Sequence, residues 1–192
     1  MKPIAPSAFQ LSSLAPLTNR LRYGLLVVCL AVVAGASVAV HAQNAPYDRV
    51  ERLLNAGELT LALNEAEAWL SQQPRDPQMR FMQGVIQKQQ GDLASARATF
   101  TQLTREFPEL PEPHNNLAVL DAAEGRLHDA LRSLETAIRL NPAYGTAHRN
   151  LGDVYLRLAA DAYRTALLQS GGTDLAVQHL QSIERLMAAP SR

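Results

Sequence analysis

The stretch "EGRLHDALRSLETAIRLNP", Glu124 to Pro142, decides the fold because its punctuation returns at a fixed distance. Gly125, Ala130 and Pro142 each have a counterpart 34 residues earlier, at Gly91, Ala96 and Pro108, and again at Gly57, Ala62 and Pro74. A glycine that follows a helical segment suits a left-handed C-terminal cap. An alanine early in the next helix lets two helices approach closely. A proline then forbids further helix. Each window therefore reads as helix, turn, helix, stop, and the period is the size of one packing unit.

Working outward, the windows are 43–76, 77–110, 111–144 and a fourth from Gly145. In the third, Leu117, Leu120, Leu127, Leu131, Leu134, Ala137 and Ile138 supply an apolar face at helical spacing. One helical hairpin cannot bury that face alone; stacking the next one does. The fourth window opens with "AHRNLGDVYLRLA" and then loses its turn, because no glycine follows Leu158. Aligning Ala159, Tyr163 and Ala166 with the second helix requires about five missing residues, so one fused helix over 147–169 is expected. "SGGTD" breaks it, with Thr173 or Asp174 as N-cap, and 174–188 reads as a final amphipathic helix. A terminal unit of this kind is expected to cap the stack with a polar outer face, or to serve as a dimerisation surface.

The first 42 residues carry Lys2, Arg20 and Arg22 and no acid. An apolar run follows, then Ala34, Gly35, Ala36 and Ser37, and then Val40-His41-Ala42 before Gln43. This is the pattern of an export signal cleaved between Ala42 and Gln43. The alternative is an uncleaved anchor, since residues 23–40 contain no charge. Either way the arginines keep the leader's start in the cytoplasm and send the body across the membrane. The domain reading is thus a leader over 1–42, a solenoid over 43–169, and a capping helix with its tail over 170–192. The chain has 18 basic and 18 acidic residues, so removing the three leader cations leaves a mildly acidic body. That balance gives no footprint for nucleic acid. Cys29, the sole cysteine, lies in the leader behind Val28, which disfavours lipidation and leaves the body without thiol chemistry.

The 34-residue unit, and above all "HNNLAVLDAAEGRLHDALRSLETAIRLNP", resembles the tetratricopeptide repeat, with the resemblance spanning nearly all of 43–169. The frequent early Trp is replaced by Arg80 and His114, and by Pro46 in the first window, so that window's opening helix is expected to start late. The resemblance implies an all-α solenoid of three full repeats, a fourth with fused helices and a C-terminal capping helix. It further implies an exported proteobacterial envelope protein, periplasmic or held at the inner membrane, that binds other proteins.

In this family the fifth, sixth and ninth residues of each window face inward. They are Tyr47, Asp48 and Glu51 in the first unit and Phe81, Met82 and Val85 in the second. They are Asn115, Asn116 and Val119 in the third, and Arg149, Asn150 and Asp153 in the fourth. Phe81, Met82, Val85 and Val119 would form an adaptable apolar strip. Asn116 and Asn150, in one register, would stand in solvent and pair with the backbone of an extended peptide. Lys88, the body's only lysine, lies late in its helix, which disfavours the subtype that clasps a C-terminal carboxylate.

No catalytic constellation emerges. His114 and His148 are equivalent in successive units and are expected as wedges between helices, too far apart for one zinc. Ser133, His128 and Asp129 point apart on a helix, Glu65 and Glu67 read as a solvated pair, and "SGG" at 170–172 lacks a lysine. The expectation is a non-enzymatic adaptor without cofactor or metal, with self-association open.

Overall fold

The computed structural model describes residues 46–170 and 173–188; the leader and its cleavage site lie outside the described residues. Every regular element among them is helical. The helix over 46–55 (α1) pairs with α2 (Leu59–Gln72), α3 (Pro77–Gln89) with α4 (Leu93–Glu106), and α5 (Pro111–Ala123) with α6 (Leu127–Leu140). A longer α7 (Gly145–Ser170) and α8 (Asp174–Ala188) complete the chain.

The three turns are built alike. Gly57, Gly91 and Gly125 have φ of 75°, 82° and 77°, the left-handed region where a Cβ is penalised. The amide after each glycine donates back to the carbonyl five residues earlier: Glu58 to Leu53 at 2.9 Å, Asp92 to Gln87 at 3.0 Å and Arg126 to Asp121 at 2.9 Å. The glycine amides donate to the carbonyls of Leu54, Lys88 and Ala122, so two orphan carbonyls of each helix end are satisfied in the same way three times. Pro74, Pro108 and Pro142 each stand two residues beyond a helix end.

Ala62, Ala96 and Ala130 are fully buried, as close helix approach requires. Three apolar clusters each join a hairpin to its neighbour. Val50, Ala62, Ala66, Met79 and Ile86 link α1, α2 and α3. Ala96, Phe100, Leu103 and Leu120 link α4 to α5. Ala118, Leu127, Ala130, Leu134, Ala137, Ala147 and Val154 link α5, α6 and α7. Burying a side chain such as Leu134 stabilises by roughly 1.5–3 kcal/mol, and the stack spreads that gain over every interface.

The fused helix is present and runs slightly beyond the expected 147–169 at both ends. Thr173 caps α8, its Oγ1 accepting from the Ala176 amide at 3.3 Å. The expected polar outer face is a correction: Leu175 and Leu186 on α8 are 59% and 63% exposed, and Leu168 on α7 is 87% exposed. No helix among the described residues is long and apolar enough to cross a membrane.

Candidate functional site

The first helices α1, α3, α5 and α7 carry every expected inward residue, but those residues do different jobs. Tyr47 on α1 is tied to the next unit. Its hydroxyl and the Trp69 indole, at 2.7 Å, both donate to Asp76 Oδ2, while Oδ1 caps α3 by accepting from the Met79 amide at 3.1 Å. The Tyr47 and Trp69 rings meet edge to face at 5.9 Å. Burial and the Asp76 contact push the Tyr47 hydroxyl up to about 12. Burial alone would raise the Asp76 carboxyl, but the hydrogen bonds from Tyr47, the Met79 amide and Trp69 outweigh it and hold it below the usual carboxylate range. Tyr47 is therefore a clamp between units and offers a partner little.

The apolar strip is also partly absorbed. Phe81 packs on Phe100 with ring centroids 5.8 Å apart, and Val85 joins the same cluster. Met82 packs against the first cluster, and only Val119 stays exposed.

The solvated asparagine pair is overturned. Asn116 is 6% exposed; its Oδ1 accepts from Lys88 Nζ at 2.6 Å and its Nδ2 donates to the Glu112 carbonyl at 3.0 Å. Asn150 donates to Asn115 Oδ1 at 2.8 Å, joining α7 to α5, and Asn115 is also buried. Buried amides that satisfy one another fix the register of stacked helices. The sequence showed equal spacing but not the lysine reaching across from α3. Burial pushes the Lys88 ammonium down.

What remains open lies between α5 and α7. Two ties hold these helices: Asn150 to Asn115 at one end, and Arg157 to the Ala122 carbonyl, 2.9 Å, at the other. Between the ties is a cavity of about 210 Å³. Ala118, Val119, Ala122 and Ala123 of α5, Leu134 of α6 and Val154 of α7 form its walls, with Asn150, Asp153 and Arg157 at its rim. It exists because α5 presents alanines where larger side chains would fill the gap. Its volume exceeds the roughly 150 Å³ of an apolar cavity that takes benzene, so one large aliphatic or aromatic side chain fits. Asp153 is exposed at this rim, and Arg149, one turn back on α7, is exposed but does not line the cavity. Of the expected site residues, Val119, Asn150 and Asp153 meet here. The alanines were not foreseen, although three of them on one helix beside Val119 were the visible signal.

Both histidines bond the carbonyl of the proline that ends the preceding helix pair: His114 that of Pro108, and His148 Nε2 that of Pro142 at 2.9 Å. His114 is half-buried, with Nε2 enclosed and unpartnered, whereas His148 is exposed and is no wedge. Among the described residues no cluster of three His, Cys, Asp or Glu side chains could hold a metal.

Stacked helical hairpins with glycine-capped turns, buried turn-side alanines and a first-helix groove define a class, the α-helical repeat solenoids. The family follows from comparison. Residues 47–111 match the family model described as tetratricopeptide repeat and residues 120–158 match one described as TPR repeat, so the chain is a tetratricopeptide repeat protein. The TPR repeat-containing thioredoxin TTL4 of Arabidopsis thaliana is 34% identical over 105 residues, covering 53% of this chain and 15% of that protein. The probable biofilm formation methyltransferase WspC of Pseudomonas putida is 34% identical over 90 residues, covering 47% and 21%. The chain thus spans about a fifth or less of these curated relatives. Among solved structures, a thermophilic TPR protein of Thermus thermophilus has a TM-score of 0.56 at 22% identity, covering 76% of this chain and 82% of that one. The first TPR of Spaghetti (RPAP3), bound to an HSP90 peptide, has a TM-score of 0.55 at 14% identity, covering 60% and 91%. These likenesses concern the fold.

Proposed function

We propose that this chain is a non-catalytic adaptor of the bacterial cell envelope that grips a peptide or helix of a partner protein in the groove lined by its first helices. The cavity between α5 and α7 carries the reading: it is a preformed, mostly apolar socket with polar groups at its rim. Its walls belong to rigid stacked helices, so a partner binds with little ordering cost on this side. The RPAP3 neighbour is described with a peptide bound, which supports a peptide as the ligand class. Export to the periplasm rests on the leader pattern of residues 1–42. If residues 23–40 stay in place, the same body becomes a membrane-anchored assembly factor, a reading favoured by their freedom from charge.

The test places a photo-crosslinking residue at Ala123, on the socket wall, and at Glu135, an exposed position on α6. Partner adducts should form from Ala123, be absent from Glu135, and fall when Val119→Trp blocks the mouth. Adducts from Glu135 alone would move the site off this face. An N-terminus at Gln43 in envelope fractions would select the soluble form over the anchored one.

A further inference from the structure

Gly84 and Gly152 occupy the same place two units apart, yet their surroundings differ. A Cβ on Gly84 would lie 2.7 Å from the Phe100 ring, because α4 folds back over α3 there. A Cβ on Gly152 would meet nothing within 4 Å. Tyr155, one turn on, is 50% exposed. The face of α7 that in the second unit is closed by its own second helix is therefore bare.

That face is also uncharged. Arg149, Asp153, Arg157, Asp161 and Arg164 recur every three or four residues along α7 and so share one side of it. His148, Gly152, Tyr155, Ala159 and Ala162 occupy the other.

The chain still carries the pattern of the missing second helix. Ala159 and Tyr163 follow Ala130 and Leu134 by one period less the five residues lost from the turn, and Ala96 and Phe100 occupy those places in the second unit. Without the turn the helix runs straight, so Tyr163 stands about 16 Å along the axis from Gly152 in the same molecule. It cannot close the face from which it was cut away.

The geometry points to a second copy of this chain as the occupant, with two α7 helices packed antiparallel and Gly152 of each against the partner's Tyr163. The packing is the α3–α4 contact repeated between molecules, with Tyr163 in the role of Phe100. In this register residue 145 lies opposite 170, so the helices overlap along their whole length about a two-fold axis between 157 and 158. The same patch serves both copies, as closed two-fold assembly requires. Tyr163 is already fixed for the task, its hydroxyl 2.8 Å from His179 Nδ1 on α8 and its ring only half-buried. The inference does not depend on the groove between α5 and α7.

The test uses the full chain with Cys29→Ser and one new thiol. In the antiparallel register Ala159→Cys sits about 4.5 Å along the axis from its mate, whereas His148→Cys is separated by about 28 Å. A short thiol crosslinker should give a dimer from the first and not from the second. Gly152→Leu enters open space within the single chain, so helical content should not fall, while crosslinking at 159 should drop about tenfold or more because the pair is overpacked. Equal crosslinking at both positions, none at 159, or crosslinking at 159 untouched by Gly152→Leu would each overturn the pairing. Docking of some other protein on this face would leave 159 uncrosslinked and so overturn it as well.

Discussion

The third and fourth units begin alike and end as opposites. In the third, Gly125 turns the chain and α6 folds back, so Leu134 is buried to 1% exposure. Counted by the bare period, Ala159 falls where the glycine was and Leu168 where Leu134 was, although the five-residue loss passes Leu134's role to Tyr163, and Leu168 is 87% exposed. The same nominal positions change from core to surface because a turn was lost. Position in a repeat has meaning only while the hairpin closes.

The contrast breaks most visibly at those two leucines. Leu134→Ala should cost about 2–5 kcal/mol, the usual range for a fully enclosed leucine, measured by denaturant unfolding. Leu168→Ala should stay within about 0.5 kcal/mol. Equal costs would mean that the fourth unit is closed in solution.

The asparagines sharpen it next. Asn116→Ala should cost about 1–3 kcal/mol, because the half-buried Lys88 ammonium loses its acceptor and nothing else among the described residues bonds it. Asn150→Ala removes a partly exposed donor and should cost less, its main effect being a looser joint between α5 and α7. A pairing of Asn116→Ala with Lys88→Met should recover part of the loss, since the stranded charge goes with it.

The turn residues make a reciprocal pair. Gly125→Ala meets no neighbour within 4 Å, so its cost is backbone strain alone, about 1–2 kcal/mol. Ala159→Gly should cost about 0.5–1 kcal/mol through helix propensity, without restoring a hairpin, because the five missing residues remain missing. Helical content by circular dichroism should barely change in either.

How much of this was legible beforehand depends on what kind of fact it is. The hairpins, the three left-handed glycines and the fused helix follow from local backbone chemistry, which the residues state outright. The 174–188 helix was readable for the same reason. The inward face was readable only as a list of positions. Whether Phe81 faces a partner or Phe100, and whether Asn116 meets water or Lys88, is settled by side chains arriving from another helix, 19 and 28 residues away in sequence. The socket was missed because it is made by what alanines do not fill. Polar residues announce themselves, but a void does not.

The smallest expected effect separates the two histidines. Burial, aided by the charge of Arg139, lowers the His114 pKa below the usual 6.5 and outweighs the opposing Pro108 carbonyl bond. The folded chain therefore resists protonation that the unfolded chain accepts. As pH falls from about 7 through 6.5, the unfolded state takes up a proton first and stability declines; below the folded value both states are charged and the decline from this residue stops. His114→Gln should flatten the decline that sets in as pH falls through about 6.5. His148→Gln, on an exposed ring that meets the equivalent proline carbonyl through Nε2, the nitrogen left unpartnered in His114, is the control. If the two variants give the same profile, the contact to the proline carbonyl governs the pH response, and the enclosure of His114 does not.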